Sequence, residues 1–538
     1  MILPPTIPII FLFLGALAIG AGDLARLHHP TGIMVITSAL ALVAVLTLRD
    51  ALPFTQVVAA WQPISVFTVP ISFRVDQTAW ILALGLMLVL NATALTWIGF
   101  PGRHLAAPRA LSLLLTAAAL AGVFASNLLT LALAWGVLDI IFVCALLLRS
   151  GAGVGRRAAL AIVLNAASTL CVWVAALLIE NQNGSLYWHL FNAQEAPRAW
   201  LIAAAVIRVG LYPFHQWLPV ELGNEPDRAV LLFAVPSAAG LALLVRMAIA
   251  QALPTASIVP LLAVLSMVIG AVLAWRSVEP RGGLPYVALS MSGFAVMNAT
   301  LGGAPGVLTA ATLNWMFVTV SLFIARGLDR RMPFWSIGVL IAGLSLAGLP
   351  GTLGFAVQQP MIAGLIATQQ WAVLLISLTA EAILIAAITG LILSETSAGT
   401  PKTTVRKVAF GIAVALGAAP LVLFALDPAL IPGLPSISVL LGGLNALGWL
   451  AFVAPIIGGA LLVRRARHLS FGTAFGVPPM WSGVLRLEWL STFVFYVAEW
   501  LTIILRRLAG VIEGEGGLLW TVVIIVIVVA IYTGTVQH

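Results

Sequence analysis

Lysine is almost missing from this chain of 538 residues: two occur, Lys402 and Lys407, five positions apart. That excludes any mechanism in which a buried lysine gives up and regains a proton inside an apolar core, the role its shiftable pKa suits it for. Charge of either sign is scarce as well, at 8% of residues against 62% hydrophobic, with mean hydropathy +1.11. Such a balance excludes a soluble globular domain. Two cysteines, Cys144 and Cys171, both lie in apolar runs and are read as reduced core residues. With no paired spacing they supply neither a disulfide framework nor a metal site. H-E-x-x-H, C-x-x-C, haem and flavin signatures are absent from the sequence, so no cofactor is expected. The glycines of GAGVGRR (151–157) lack the strand-then-helix context of a phosphate loop and are read as a tight turn.

What is present are apolar runs of the length that crosses a bilayer, repeated along most of the chain. The expected fold class is an all-α polytopic membrane protein, with about fourteen core transmembrane helices and about two more at the C-terminus. The first run, PPTIPIIFLFLGALAIGAG, has no basic leader and is read as the first span rather than a cleaved signal. Numbering the spans and counting basic residues in the loops gives 18 after odd spans against 4 after even ones. By the positive-inside rule the N-terminus is outside and the odd loops are cytoplasmic, in the cell (inner) membrane. The net charge of +8 is therefore a topology signal, and no nucleic-acid partner is expected.

The organisation expected is N-terminal helices 1–3 over 1–109, a five-helix repeat over 110–249, and a second over 256–394. Helices 14–15 follow over 407–463, then an amphipathic or interfacial segment over 464–516 and a last span over 517–538. Within the interfacial segment, 485–507 carries Glu488, Glu499, Arg506 and Arg507 among apolar residues and is read as lying on the membrane or crossing it. The span over 336–356 is read as broken near Pro350, with 371–394 as the next.

Two helices are interrupted, the seventh at Pro213 in VIRVGLYPFHQWLP and the twelfth at GLPG, through Pro350 and Gly351. Paired Pro/Gly breaks in corresponding halves point to an inverted-repeat transporter with ion sites at the breaks. Proline and glycine are also commoner in membrane helices generally.

The spacing R-x4-P-x-H-x-W-L-P, from Arg208 through Pro213 and His215 to Pro219, resembles a broken-helix motif in a known family. That family comprises the antiporter-like subunits of respiratory complex I, Mrp-type cation/proton antiporters and membrane-bound hydrogenases. SFRVDQTAW (72–80) looks like its entry to helix three, LPYVALSMSG (284–293) like its L-A-Y-S-S-I-S-H-M-G, and AGLPGTLGF (347–355) like its A-G-x-P-P-x-x-G-F. The resemblance covers about residues 70–425. It implies a proton path of buried glutamate, lysine and histidine, and this chain departs from that path at nearly every position. The glutamate position is Gly136, with Asp139 one turn on. The helix-seven lysine is Arg208. The later titratable positions fall at Phe233, Met291, Trp315 and Thr319, and the helix-twelve lysine at Gln358.

The remaining ion-path candidates are Asp139, Arg208, His215 and Glu381. Asp139 and Arg208 are read as a buried pair, either tuning a channel or neutralised and structural. His215 is a proton donor and acceptor or a break histidine bonding freed carbonyls. Glu381 stands without an evident partner and is an intramembrane functional candidate or a protonated helix contact. Asn165, Asn298, Asn314 and Asn445 are read as joining helices. Three functions are carried forward. The first is a membrane subunit of a complex-I-like assembly with a lysine-free, degenerate path, partnered by other membrane subunits and a soluble redox or carrier module. The second is an active cation/proton transporter through Asp139, His215 and Glu381. The third is a membrane anchor for a soluble partner.

Overall fold

The computed structural model describes residues 4–25, 30–59, 67–99, 106–148, 154–191, 195–218, 226–253, 258–277, 280–326, 335–393 and 404–468, with scattered positions between 484 and 503. Met1–Gly476 forms one compact unit. The second unit, Val477–His538, is described only at those scattered positions, most of them helical. Most of the interfacial segment and all of 517–538 therefore lie outside the described residues.

Helices dominate the first unit. In chain order they are α1 (Thr6–Leu24), α2 (Pro30–Thr47), α3 (Gln77–Gly99), α4 (Ala106–Phe124), α5 (Leu128–Leu147), α6 (Val154–Asn181), α7 (Glu195–Val209) and α8 (Pro226–Ile249). They continue as α9 (Val259–Arg276), α10 (Leu284–Thr300), α11 (Pro305–Arg326), α12 (Trp335–Leu346), α13 (Leu353–Ala367), α14 (Trp371–Leu393), α15 (Thr404–Leu426), α16 (Ile437–Gly442) and α17 (Ala446–His468). Twelve of the described helices are long and apolar enough to cross a membrane. The apolar windows of α8 and α11 are wholly buried, while α1, α2 and α17 bury about a third of theirs. The chain thus has a protein-lined centre built on α8 and α11 and an apolar rim suited to lipid.

Several expectations are corrected. SFRV, read as the entry to a helix, is the second strand of an antiparallel hairpin: β1 (Phe54–Ala59) pairs with β2 (Ile71–Val75), Phe54 opposite Val75. The alternating β-branched and aromatic residues of FTQVVA and ISFRV favour strands, and α3 starts only at Gln77, where Asp76 caps it by accepting from Ala79 N at 2.7 Å. The twelfth span is two half-helices: α12 stops at Leu346, α13 resumes at Leu353 and runs on to Ala367, and a turn at Thr368–Gln370 separates it from α14. Gly348 (φ 64) and Gly351 (φ 88) take the left-handed backbone that this break requires. Asn445 is exposed and accepts from Gly448 N at 2.8 Å, so it caps α17 rather than joining helices. Cys144 is exposed on α5, whereas Cys171 is buried.

Candidate functional site

The first break is closed by its own side chains. After α7, Gly210 (φ 76) turns the chain, Tyr212–Pro213 is a cis peptide, and Phe214–Trp217 form a short 3-10 turn. Ile207 O, near the end of α7, accepts from Gly210 N at 3.1 Å and from Trp217 Nε1 at 3.2 Å. Tyr212 N donates to Ser266 Oγ of α9 at 2.9 Å. Irregular backbone at membrane depth is thus satisfied by protein, as lipid demands. Trp217 packs edge-on against Phe142, and its ring would lie 3.3 Å from a Cβ on Gly210, a tight contact.

One turn before the break, in the last turn of α7, Arg208 is fully buried. Its guanidinium forms a two-point ion pair with Asp139 of α5: Nη1 donates to Oδ1 and Nη2 to Oδ2. Thr169 of α6 completes the triangle, accepting from Arg208 Nη2 and donating to Asp139 Oδ2, both at 2.7 Å. Asn165 O accepts from the same Nη2 at 3.4 Å. The Trp135 ring lies 4.3 Å from the guanidinium carbon, a cation–π stack desolvated on both sides. The Asp139 side chain is 13% exposed, and beside Gly136 the space is open. Gly240 of α8 admits the close approach of α7, since a Cβ there would meet Val209 N at 2.8 Å and Arg208 Cβ at 3.0 Å.

His215 is also buried but belongs to different surroundings. Its ring stacks on Tyr212 with centroids 5.3 Å apart, and its Nδ1 has no partner among the described residues. Among the described residues it forms no hydrogen bond or ion pair with Asp139, Arg208 or Glu381.

Between α8 and α11 the packing is aromatic. Phe233 of α8 is seated against α11, its ring stacked on Trp315 (centroids 5.9 Å, interplanar angle 11°) and tilted on Phe323 (5.6 Å). All three are at most 1% exposed. Thr319 stands one helical turn from each of the two α11 rings, with its hydroxyl buried and unpartnered among the described residues. Trp315 Nε1 is used by Ala288 O of α10 at 2.9 Å. Met291, also on α10, is buried.

Glu381 sits at the middle of α14 and is 2% exposed. The Gln358 side chain of α13 lies near its carboxyl. Gln358 Nε2 donates to Leu346 O, the last carbonyl of α12, at 2.6 Å. Ser345 Oγ donates to Asn314 Oδ1 and accepts from Gly354 N, so α11 and both half-helices share one polar joint.

Sequence reasoning overlooked Trp135 and Thr169. Trp135 precedes Asp139 by four residues, so its place on the same helix face was legible. It also overlooked the pair between Asp76, before α3, and Arg246, at the end of α8. Arg246 Nη2 further donates to Val123 O at 3.2 Å, tying the ends of three helices. Burial pushes the Asp76 carboxyl up. The Arg246 guanidinium, the Ala79 N–H and nearby Arg74 outweigh it and hold the group below its ordinary value.

Residues 125–384 match the family model described as NADH:quinone oxidoreductase/Mrp antiporter, TM. That match covers 260 residues, a little under half of the chain, and includes both helix breaks. It is 32% identical over 180 residues to NAD(P)H-quinone oxidoreductase subunit 2 of Gloeobacter violaceus, covering 29% of this chain and 35% of the relative. To NADH-quinone oxidoreductase subunit N of Acinetobacter baumannii it is 28% identical over 248 residues, 39% of this chain and 50% of the relative. The chain therefore spans between a third and a half of these curated relatives. Among solved structures, the Mrp complex from Dietzia superposes with a TM-score of 0.75 at 21% identity, over 99% of this chain and 63% of that one. The archaeal membrane-bound sulfane sulfur reductase gives 0.69 at 18%, over 98% and 99%. Respiratory complex I from Thermus thermophilus gives 0.62 at 22%, over 80% and 99%. At these identities the likeness is one of fold.

Proposed function

We propose that this chain is an antiporter-like membrane subunit of an ion-translocating assembly related to complex I. Its own proton path is degenerate, and its role is structural or coupling between neighbouring membrane subunits. The observation that carries this reading is Phe233 seated between Trp315 and Phe323. The resemblance puts titratable side chains at Phe233 and Trp315. Here buried rings fill the line between α8 and α11, and the one N–H they hold is already bonded to Ala288 O. Arg208 supports the same reading, because arginine keeps its proton at any physiological pH and cannot relay it. Partners are then other membrane subunits, with a soluble module at the basic face. The charge asymmetry of the loops puts that face in the cytoplasm and the N-terminus outside.

The test is twofold. Native purification followed by mass spectrometry should recover the chain with other membrane subunits; recovery alone would overturn the subunit reading. In liposomes with an internal pH dye and an imposed potential, the purified chain should pass no proton current. A current that Asp139→Asn abolishes would establish the second reading, an active transporter. That second reading draws its support from the ion pair retained at the first break. The anchor reading predicts that changing Arg330 and Arg331, which lie outside the described residues, releases a soluble partner without altering flux.

A further inference from the structure

The pair of Asp76 and Arg246 closes more than a junction of helix ends. Arg246 stands at the outer end of a narrow cleft between α3, α4, α5 and α8, whose other walls include Leu82, Gly122 and Trp135. On α8 the lining residues Ala239, Ala242, Leu243 and Arg246 fall on one helix face. At the α-helical rise, that face carries the cleft about 10 Å inward from Arg246.

Trp135 stands at the inner end. Its N–H edge borders the cleft beside Gly122, with Nε1 3.5 Å from where a Cβ would be. Among the described residues that N–H has no protein acceptor. The face of the same ring is stacked on Arg208, so the cleft ends on the indole that covers the buried guanidinium. Its mouth is exposed and its depth is not: the Asp76 side chain is 28% exposed and that of Arg246 10%, against 1% for Trp135.

The walls decide what the cleft takes. Its widest part has room for about one water molecule, far less than an acyl chain or a drug-sized ligand needs. A cation would meet Arg246, and an anion would find that charge already matched by Asp76. A buried water wants about two to four polar partners, and the lining residues supply them. The Trp135 N–H and the Arg246 guanidinium donate, while Val123 O accepts from Arg246 Nη2 and keeps a second lone pair.

We propose that this cleft is a water site, held by Trp135, Arg246 and Val123 O and latched by the Asp76–Arg246 pair, with Trp135 sealing it from Arg208. Two anchors, Asp76 and Val123 O, fix Arg246 over the mouth. Without the Asp76 charge a single carbonyl holds it there. The proposal goes beyond the subunit reading and does not rest on it, since a wet dead end is compatible with a silent chain and with a conducting one.

Water radiolysis of the full chain in liposomes, read by mass spectrometry, tests the site without any substitution. Hydroxyl radicals formed from bound water oxidise the side chains beside it. Trp135 should therefore be oxidised several times faster than Trp217 and Trp315, which are as deeply buried but donate their N–H to Ile207 O and Ala288 O. The latch is tested with Ala239→Cys as probe, after Cys144→Ser and Cys171→Ala remove the native thiols. A membrane-impermeant thiol reagent should label the probe slowly, and only from the membrane side that bears the hairpin. Asp76→Asn, which can still cap α3, should speed labelling by about tenfold or more, the scale of one lost charge-assisted hydrogen bond. Asp76→Glu should return it toward the parent rate. Val235→Cys, one turn deeper on α8, should stay unlabelled with or without Asp76. If Ala239→Cys fails to fold, Ala242→Cys on the same face serves as probe. Trp135 oxidised no faster than Trp217, or a labelling rate indifferent to Asp76→Asn, would overturn the proposal. So would labelling of Val235→Cys, which would show that Trp135 seals nothing.

Discussion

Removing Asp139 by Asp139→Ala strips the carboxylate from a guanidinium that is 0% exposed and cannot reach water without unpacking α7. Breaking a buried pair from one side costs about 3–5 kcal/mol, since the surviving charge is left uncompensated. Three contacts survive here: the Thr169 hydroxyl at 2.7 Å, Asn165 O at 3.4 Å and the Trp135 ring at 4.3 Å. A desolvated cation–π contact alone contributes about 2 kcal/mol. The expected loss is therefore at the low end, about 3 kcal/mol, or roughly two decades in the folding equilibrium. The double change Asp139→Leu with Arg208→Met removes both charges while keeping volume. Such replacements are commonly neutral or stabilising by about 1–4 kcal/mol, so the double variant should recover most of what the single one loses. Reversible unfolding in mixed detergent, with all variants at one protein concentration, measures both. A single variant losing under about 1 kcal/mol, or a double variant no better than the single, would refute a buried charge balanced by its partner.

Gly240→Ala should separate α7 from α8, because its methyl meets Val209 N at 2.8 Å; a lowered melting temperature with Asp139 and Arg208 unchanged checks this. Gly210→Ala should cost about 1–2 kcal/mol for the left-handed backbone alone, with further loss from the Trp217 ring at 3.3 Å, read in the same unfolding assay. The Asp76 carboxyl is held below its unfolded value by Arg246, so its contribution is present above that unfolded value, about 3.9. It is lost as pH falls through the folded one, and Asp76→Asn should flatten that acid limb in melting curves taken against pH. Phe233→His with Thr319→Lys should restore titratable groups at the centre and raise proton leak in liposomes above that of the parent chain.

The two breaks were legible because proline and positive-φ glycine leave marks that local sequence cannot hide. Hence Pro213 and the GLPG turn fell where the chain is interrupted. Spans were legible from length and hydropathy alone. The hairpin Phe54–Ala59 and Ile71–Val75 was missed because short strands beside long apolar runs look like the approach to a helix. Asn445 was misread because a polar residue among apolar ones looks buried until its helix start is known.

By itself the sequence determined that this is a multi-pass helical membrane protein and that no lysine relay runs through it. Both follow from composition, and composition needs no coordinates. Only the tertiary structure decided that Arg208 meets Asp139 and Thr169 from three helices, that Phe233 lies between Trp315 and Phe323, and that Gln358 lies near Glu381. The reason is geometric. An apolar helix has a weak face preference in its sequence, so which side turns inward, and which distant residue it meets, is fixed by how the helices pack.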